Sequence, residues 1–416
     1  MGELDKLLSK GTETFTKSKI AKKVRELVYG NLTCLGRHTI SGMLTASGHQ
    51  FVDWTSFYRL FSNQRIDIDK LNEVSIEGAV EELKSDQMIL AHMDDTILKK
   101  TGKKIPGTSW RRDPLGPPFH TNFIWGQRFI QLSMAIPESQ GPCQSRAIPI
   151  GFHHCPTPRK PLRTATEKQI QTYKEVKKQS RLSLQGALQI RALREKLDRK
   201  GHVDRTLCMG VDGSYTNSTV LKNLPERVVL IGRIRKDTRL NGIPDQQATT
   251  GRKGRKKVYG DPIPTPEQIR QSPDYKWQKV EAWAAGKKHQ FDVKIVKNLK
   301  WRSAGQKHTL QLMVVRPLAY RLNKSSRLLY RKPAYLICTD NELSPEDLLQ
   351  NYIWRWEIEV NIRDEKTLIG CGQAQVRNEH SAADVPAFVS AMYAFLLLAH
   401  IKAFKKNVDH KNRELL

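Results

Sequence analysis

Two short apolar runs that close on aspartates constrain this chain more than any other feature. SDQMILAHMDDTILKKTGK leads one run into Asp94 and Asp95, as a central strand does when it delivers side chains to a site at its end. NFIWGQRFIQLSMAIP and SRAIPIGFHH follow as two more strand-like runs, parted by the turn-rich ESQGPCQ. A helix is expected over roughly Thr166 to Asp198, ending at Lys200-Gly201. RTLCMGVDGSY then brings a fourth apolar run to Asp212, a short helix is read around Ser218 to Leu224, and ERVVLIGRIR supplies a fifth strand. Elements in that order imply an α/β protein on a mixed sheet. An aspartate closing a strand is ordinarily a turn residue, so neither position marks a site alone.

A third acidic position lies in SPEDLLQNYIWRWEIEVNIRDEK, residues 344–366. Ser344 can cap a helix, Pro345 fits its first turn, and Asp347 completes an S-x-x-[DE] box. At about 100° per residue, Tyr352, Arg355, Glu359, Arg363 and Lys366 fall within an arc of roughly 80°. A charged stripe is normally a solvated face. Here Gln350, Glu357, Asn361, Asp364 and Glu365 form a second polar face on the opposite side, free to meet water. Apolar residues, Trp356 and Val360 on one side and Ile358 and Ile362 on the other, border the first stripe, which is therefore read as facing an interior cleft. A buried carboxylate needs a metal or a cation, and buried Arg and Lys need an anion. Phosphate and a divalent metal together satisfy both.

Tyr352, Arg355, Glu359 and Lys366 match, in identity and spacing, the signature of the DDE transposases of bacterial insertion sequences, specifically the insertion-sequence-four type group. The chain resembles that family in its aspartates too: Asp94-Asp95-Thr96 fits the Asp-x-Thr motif of the first strand, and Asp212-Gly213-Ser214-Tyr215 fits the motif after the fourth. The resemblance implies a ribonuclease-H-like core interrupted by a β-rich insertion, with an N-terminal helical domain. It implies that Asp94, Asp212 and Glu359 are catalytic and hold two Mg²⁺ or Mn²⁺ ions, and that Tyr352, Arg355 and Lys366 contact terminal phosphates. Arg363 shares their face outside the signature and takes a supporting role. Asp95 stays open as a rival to Asp94, because neighbouring strand residues face opposite ways. The implied reaction is cleavage of double-stranded DNA at element ends and strand transfer into a target, by a homodimer holding both ends.

Charge supports the polyanion. Of the net +28, residues 236–334 hold 23 Lys and Arg against 7 Asp and Glu, whereas residues 1–85 are nearly balanced at 12 against 11. A field so concentrated favours nucleic acid over a membrane surface. The densest run holds Arg252, Lys253, Arg255, Lys256 and Lys257, read as a loop that orders on DNA. Trp277, Trp283 and Trp301 stand among cations nearby. In the family an insertion tryptophan, here Trp301, can stack on a base drawn from the duplex, while the plainer reading packs each ring on the sheet.

The expected domains are 1–85 (helical), 86–235 (core, first part), 236–334 (basic β-rich insertion) and 335–416 (core, second part). In the first, Arg37, His38, Thr39 and Ser41 could open a recognition helix, or the segment could be a helical scaffold. No apolar run is read as approaching the ~20 residues of a membrane span, and MGELDKLLSKG lacks a signal-peptide core. A cytoplasmic, nucleoid-associated bacterial protein is expected. Six cysteines without CxxC pairs suit reduced thiols, and Cys143, His153, His154 and Cys155 match no standard zinc spacing. The alternatives are a transposase-derived DNA-binding protein without catalysis and a ribonuclease-H-like nuclease without strand transfer.

Overall fold

The computed structural model describes residues 2–13, 18–113, 116–117, 119–137, 145–244, 257–321 and 325–414, with residues 406–414 as backbone only. The basic positions Arg252, Lys253, Arg255 and Lys256, and Cys143, lie outside the described residues. Five helices come first: α1 (Glu3–Glu13), α2 (Ser18–Thr33), α3 (Ile40–Ala46), α4 (Thr55–Ser62) and α5 (Ile68–Val80). Helically spaced apolar residues turn inward, among them Leu8, Leu27, Phe61 and Leu71. Side-chain oxygens of Thr39 and Asp67 accept from the N–H groups of Gly42 and Lys70 and cap α3 and α5. Just ahead of α3, the His38 N–H donates to Gln373 Oε1 at 2.7 Å and the Arg37 guanidinium to the Gln373 carbonyl at 3.4 Å.

The first strands are β1 (Ile89–Lys99), β2 (Ser109–Arg112), β3 (Phe123–Pro137) and β4 (Ser145–His154). β1 is buried on both faces through Met93, which is why its sequence there is apolar but for His92, and it becomes half-buried at Asp94 and Asp95. Next come α6 (Glu167–Gln179), α7 (Leu182–Arg199), β5 (Leu207–Val211), α8 (Ser218–Lys222) and β6 (Val228–Arg233). The single helix expected from Thr166 to Asp198 is thus two. The Ser180 N–H bonds back to the Val176 carbonyl and its hydroxyl to that of Lys177, closing α6, and Arg181 is extended at ψ 128 before α7 begins.

The chain continues with β7 (Asn241–Gly242), α9 (Pro266–Gln271), β8 (Gln278–Ala284), β9 (Lys287–Lys300), β10 (Leu310–Val315), β11 (Ala319–Tyr320), β12 (Leu329–Tyr330) and β13 (Ala334–Cys338). It closes with α10 (Pro345–Trp354), α11 (Trp356–Thr367) and α12 (Glu379–Glu414). Eleven strands share one sheet in the order β2-β3-β1-β5-β6-β13-β10-β9-β7, with β4 pairing β3 and β8 pairing β9. β1 runs antiparallel to β3 and parallel to β5, and β5 runs parallel to β6. This open mixed sheet is consistent with a ribonuclease-H-like fold. β13 joins it beside β6, and β10 and β9, from residues 236–334, extend it further: β6 pairs β13, β13 pairs β10 and β10 pairs β9, all antiparallel.

α12 packs against β4 and against α5, α1 and α4, and its Phe388 ring meets Phe61 edge-on at 5.5 Å. Residues Glu379–Lys405 are long and apolar enough to cross a membrane, contrary to the sequence reading, but 78% of the apolar window is buried inside the protein. Its hydrophobicity is consumed by the fold's own core.

Candidate active site

β1 and β5 lie side by side in parallel, with Met93 opposite Val211, so the next residues, Asp94 and Asp212, emerge together where the strands end. Ser214 and Tyr215 N–H groups donate to Asp212 Oδ1, and the Ser214 hydroxyl to Oδ2, fixing that carboxylate in a tight turn. Across from them, Ser344 caps α10 as its spacing requires, accepting from the Asp347 N–H at 3.1 Å. The helix does not run straight through: the Arg355 N–H reaches back to the Tyr352 carbonyl, and α11 restarts at Trp356.

That joint aims Arg355 at the strand ends. Its Nη1 donates to Asp94 Oδ2 at 3.1 Å and its Nη2 to Glu359 Oε1 at 3.0 Å, with only 12% of the side chain exposed. One guanidinium therefore bridges β1 and α11. Burial pushes the Asp94 carboxyl up to about 7, with Arg355 pulling it back and the Asp212 charge adding to the rise. Asp95 faces elsewhere: it takes the Tyr215 hydroxyl at 3.2 Å and the Arg128 guanidinium at 3.3 Å. His92, two residues before Asp94 in β1, is fully buried with both ring nitrogens unpartnered, and burial lowers it to about 3, so it is a neutral imidazole.

Further along α11, Lys366 Nζ donates to Thr96 Oγ1 at 2.5 Å, tying the last signature position to the residue after the paired aspartates. Tyr352 is half-buried, with the Arg355 guanidinium 5.7 Å from its ring centre.

Among the described residues no three acidic, His or Cys side chains converge closely enough to hold a metal ion as they stand. The donor chemistry nevertheless fits a hard divalent cation: three carboxylates, two of them neighbours at strand ends, and no thiolate or imidazole among them. The Arg355 charge sits between two of the three.

A family model described as DDE superfamily endonuclease matches residues 12–307. The chain belongs to that family. The matched stretch carries Asp94 and Asp212 and ends before the helix of Glu359. No curated protein matches the chain. Members of the DDE superfamily generally use divalent metals, so the carboxylate chemistry at the strand ends accords with the family.

Other residues read from the sequence fall differently in this DDE endonuclease. Arg363 does not join the inward stripe: its side chain is 66% exposed and its Nε pairs with Asp364 at 2.9 Å. The face assigned to water is partly the buried one. Asn361 and Glu365 are buried against β3, β4 and α12, while Trp356 is exposed. Asn361 accepts from Ser133 and donates to the Ala147 carbonyl; Glu365 Oε1 accepts from Gln131 at 3.3 Å and Ser390 at 2.9 Å. A helical projection shows two polar faces but not which one meets a polar patch on the sheet. The available signal was Gln131 and Ser133, two polar residues inside an otherwise apolar strand.

Trp301 is half-buried against the main core, and Trp277 lies beneath the Lys294 ammonium at 4.5 Å. Lys257 is exposed and paired with Asp261 at 3.4 Å. His154 stacks on Phe129, His153 contacts Gln185, and burial pushes the Cys155 thiol up to about 12.

Proposed function

We propose that this DDE endonuclease is a DNA transposase of the insertion-sequence-four type, cutting element ends and joining them to target DNA. What supports the reading is the Arg355 bridge from Asp94 to Glu359, with Asp212 at the neighbouring strand end. Asp94, Asp212 and Glu359 are the residues that would hold two Mg²⁺ or Mn²⁺ ions, which supply Lewis acidity at the scissile phosphate and ease deprotonation of the attacking water or 3′-hydroxyl. Asp94 is preferred over Asp95 because it shares Arg355 with Glu359, whereas Asp95 is engaged by Arg128 and Tyr215.

Arg355 neutralises Asp94 and Glu359 in the DNA-free protein and turns to a phosphate when the duplex arrives, with Tyr352 and Lys366 gripping the terminal phosphates. Lys257 and its neighbours Arg252, Lys253, Arg255 and Lys256 add phosphate contacts, and Trp301 is the candidate for base stacking. Arg363, pointing outward, is assigned no contact with the reacting end. The working form is a homodimer on two element ends, in a bacterial cytoplasm.

Asp94→Asn, Asp212→Asn and Glu359→Gln should each lower Mg²⁺-dependent cutting of element ends by at least about 10³-fold (roughly 4 kcal/mol of barrier) while DNA binding persists. Full cutting by Glu359→Gln would sink the site. The family description is equally met by cleavage without joining; supplying a pre-cut 3′-hydroxyl end with target DNA separates the two, since a nuclease leaves that end unjoined.

A further inference from the structure

The stretch from Pro156 to Arg181, containing α6, is built unlike the rest of the molecule. None of its side chains is buried. It carries eight Lys or Arg against two Glu. Some cations elsewhere find carboxylates, as Lys196 does with Asp69 and Lys402 with Glu81, and others stand in solvent without one. Among the described residues none of these eight does. A helix of 13 residues with no buried face is marginal by itself, since isolated helices shorter than ~12–15 residues barely hold in water. The Thr166–Gln169 capping box supports one end only. Ile170 and Val176 are exposed on the same helix, but eight cations against two carboxylates favour an anionic partner.

Its placement says which anion. β4 leaves the sheet at His154, with His153 paired to Ile130, the residue that also pairs with Asp95. The stretch returns through Arg181 into α7, whose Gly186 packs so closely on the Tyr215 ring that a Cβ there would lie 2.8 Å away, and the Tyr215 hydroxyl donates to Asp95. Both ends of this arm are therefore rooted at the carboxylate end of the sheet. Thirteen helical residues span about 20 Å, roughly six base-pair steps of duplex.

We infer that residues 156–181 form an arm that holds the phosphate backbone of the duplex flanking the carboxylate site, through Arg159, Lys160 and Arg163 on the approach and Lys174, Lys177 and Lys178 on α6. The inference rests on the transposase reading for its ligand, but not on the catalytic assignment. Clustered unpaired cations at a protruding helix release counter-ions when they meet DNA, so each lost contact reduces the salt dependence of binding by about 0.9 in the log–log slope.

The test titrates full-length protein with an element-end duplex at several salt concentrations, following fluorescence anisotropy. A triple K174Q/K177Q/K178Q variant should lose about 2 to 3 from the slope, and the matching triple Lys→Arg variant should keep it. Should the glutamine variant lose helicity by circular dichroism, R159Q/K160Q/R163Q in the approach loop provides the same readout and should also flatten the slope. An unchanged slope in these variants, with salt-sensitive binding by the wild type, overturns the arm. Loss of self-association in sedimentation velocity with unchanged DNA binding also overturns it, since the arm would then be a subunit contact. If the wild type itself shows no salt-sensitive DNA binding, the transposase reading fails and the arm with it, whereas loss of cutting in Asp94→Asn with the wild-type slope retained leaves the arm standing.

Discussion

Glu365 shows how much a single side chain can depend on its surroundings. It lies one residue before Lys366, yet it is 1% exposed, and burial pushes its carboxyl up to about 8 despite bonds from Ser390 and Gln131. A carboxyl whose folded value is raised binds its proton more tightly when folded, so its contribution is fully present below the unfolded value and is lost as pH rises toward 8. Glu365→Gln keeps an acceptor for both donors and removes the ionisation. The variant and wild type should melt alike near pH 4.5, and the variant should gain on the wild type as pH rises to 8.5, by on the order of a few kcal/mol. Parallel melting curves across that range would show that Glu365 stays ionised. That Asp94 and Asp212 would stand at strand ends and Glu359 on a helix was legible in the sequence, from apolar runs that stop at aspartates and from the Ser344 cap. Glu365 was not, because its burial depends on Gln131 and Ser390, 234 and 25 residues away in the chain.

At the scale of elements, close approach decides where α7 sits. Gly186 lets the helix lie against the Tyr215 ring and the Met93 side chain, and both would meet an added Cβ within 3.0 Å. Gly186→Ala should therefore cost about 1–3 kcal/mol by overpacking, visible as a lower thermal midpoint. It should also disturb the Tyr215 contact to Asp95; an unshifted midpoint would mean α7 can slide without loss. Element types were largely readable: the apolar runs became β1, β3, β4, β5 and β6, and Ser344 with Pro345 opened α10 as their chemistry demands. The breaks were not. Nothing in the composition of KQSRLSLQ, residues 178–185, forces a stop, and the division of α6 from α7 follows from α7 packing on Tyr215 while α6 has nothing beneath it.

For the whole molecule, sequence reading set a boundary at residue 85, while packing joins what lies on either side of it. Leu8, Phe61 and Leu71 share a continuous apolar cluster with Phe388, Phe395 and Leu398. Gly11 and Gly78 let α1 and α5 approach Phe395 and Leu398 of α12. A fragment of residues 1–85 should accordingly show weak helicity and no cooperative melt, whereas a sharp transition would establish it as an independent unit. The strand order could not be read from sequence either, because β10 and β13 are apolar runs, LQLMVV and AYLIC, that name no neighbour until β6 is there to receive them.

The dependence of α1 on α12 also has a consequence in time. More than 300 residues separate Gly11 from Phe395, so translation at ~5–20 residues per second leaves the first helices waiting on the order of tens of seconds for their partner. Through that interval Phe61 lacks its Phe388 partner and the α1 face at Gly11 lacks Phe395, and nascent chains are at their most vulnerable to holdase capture and to sticking to one another.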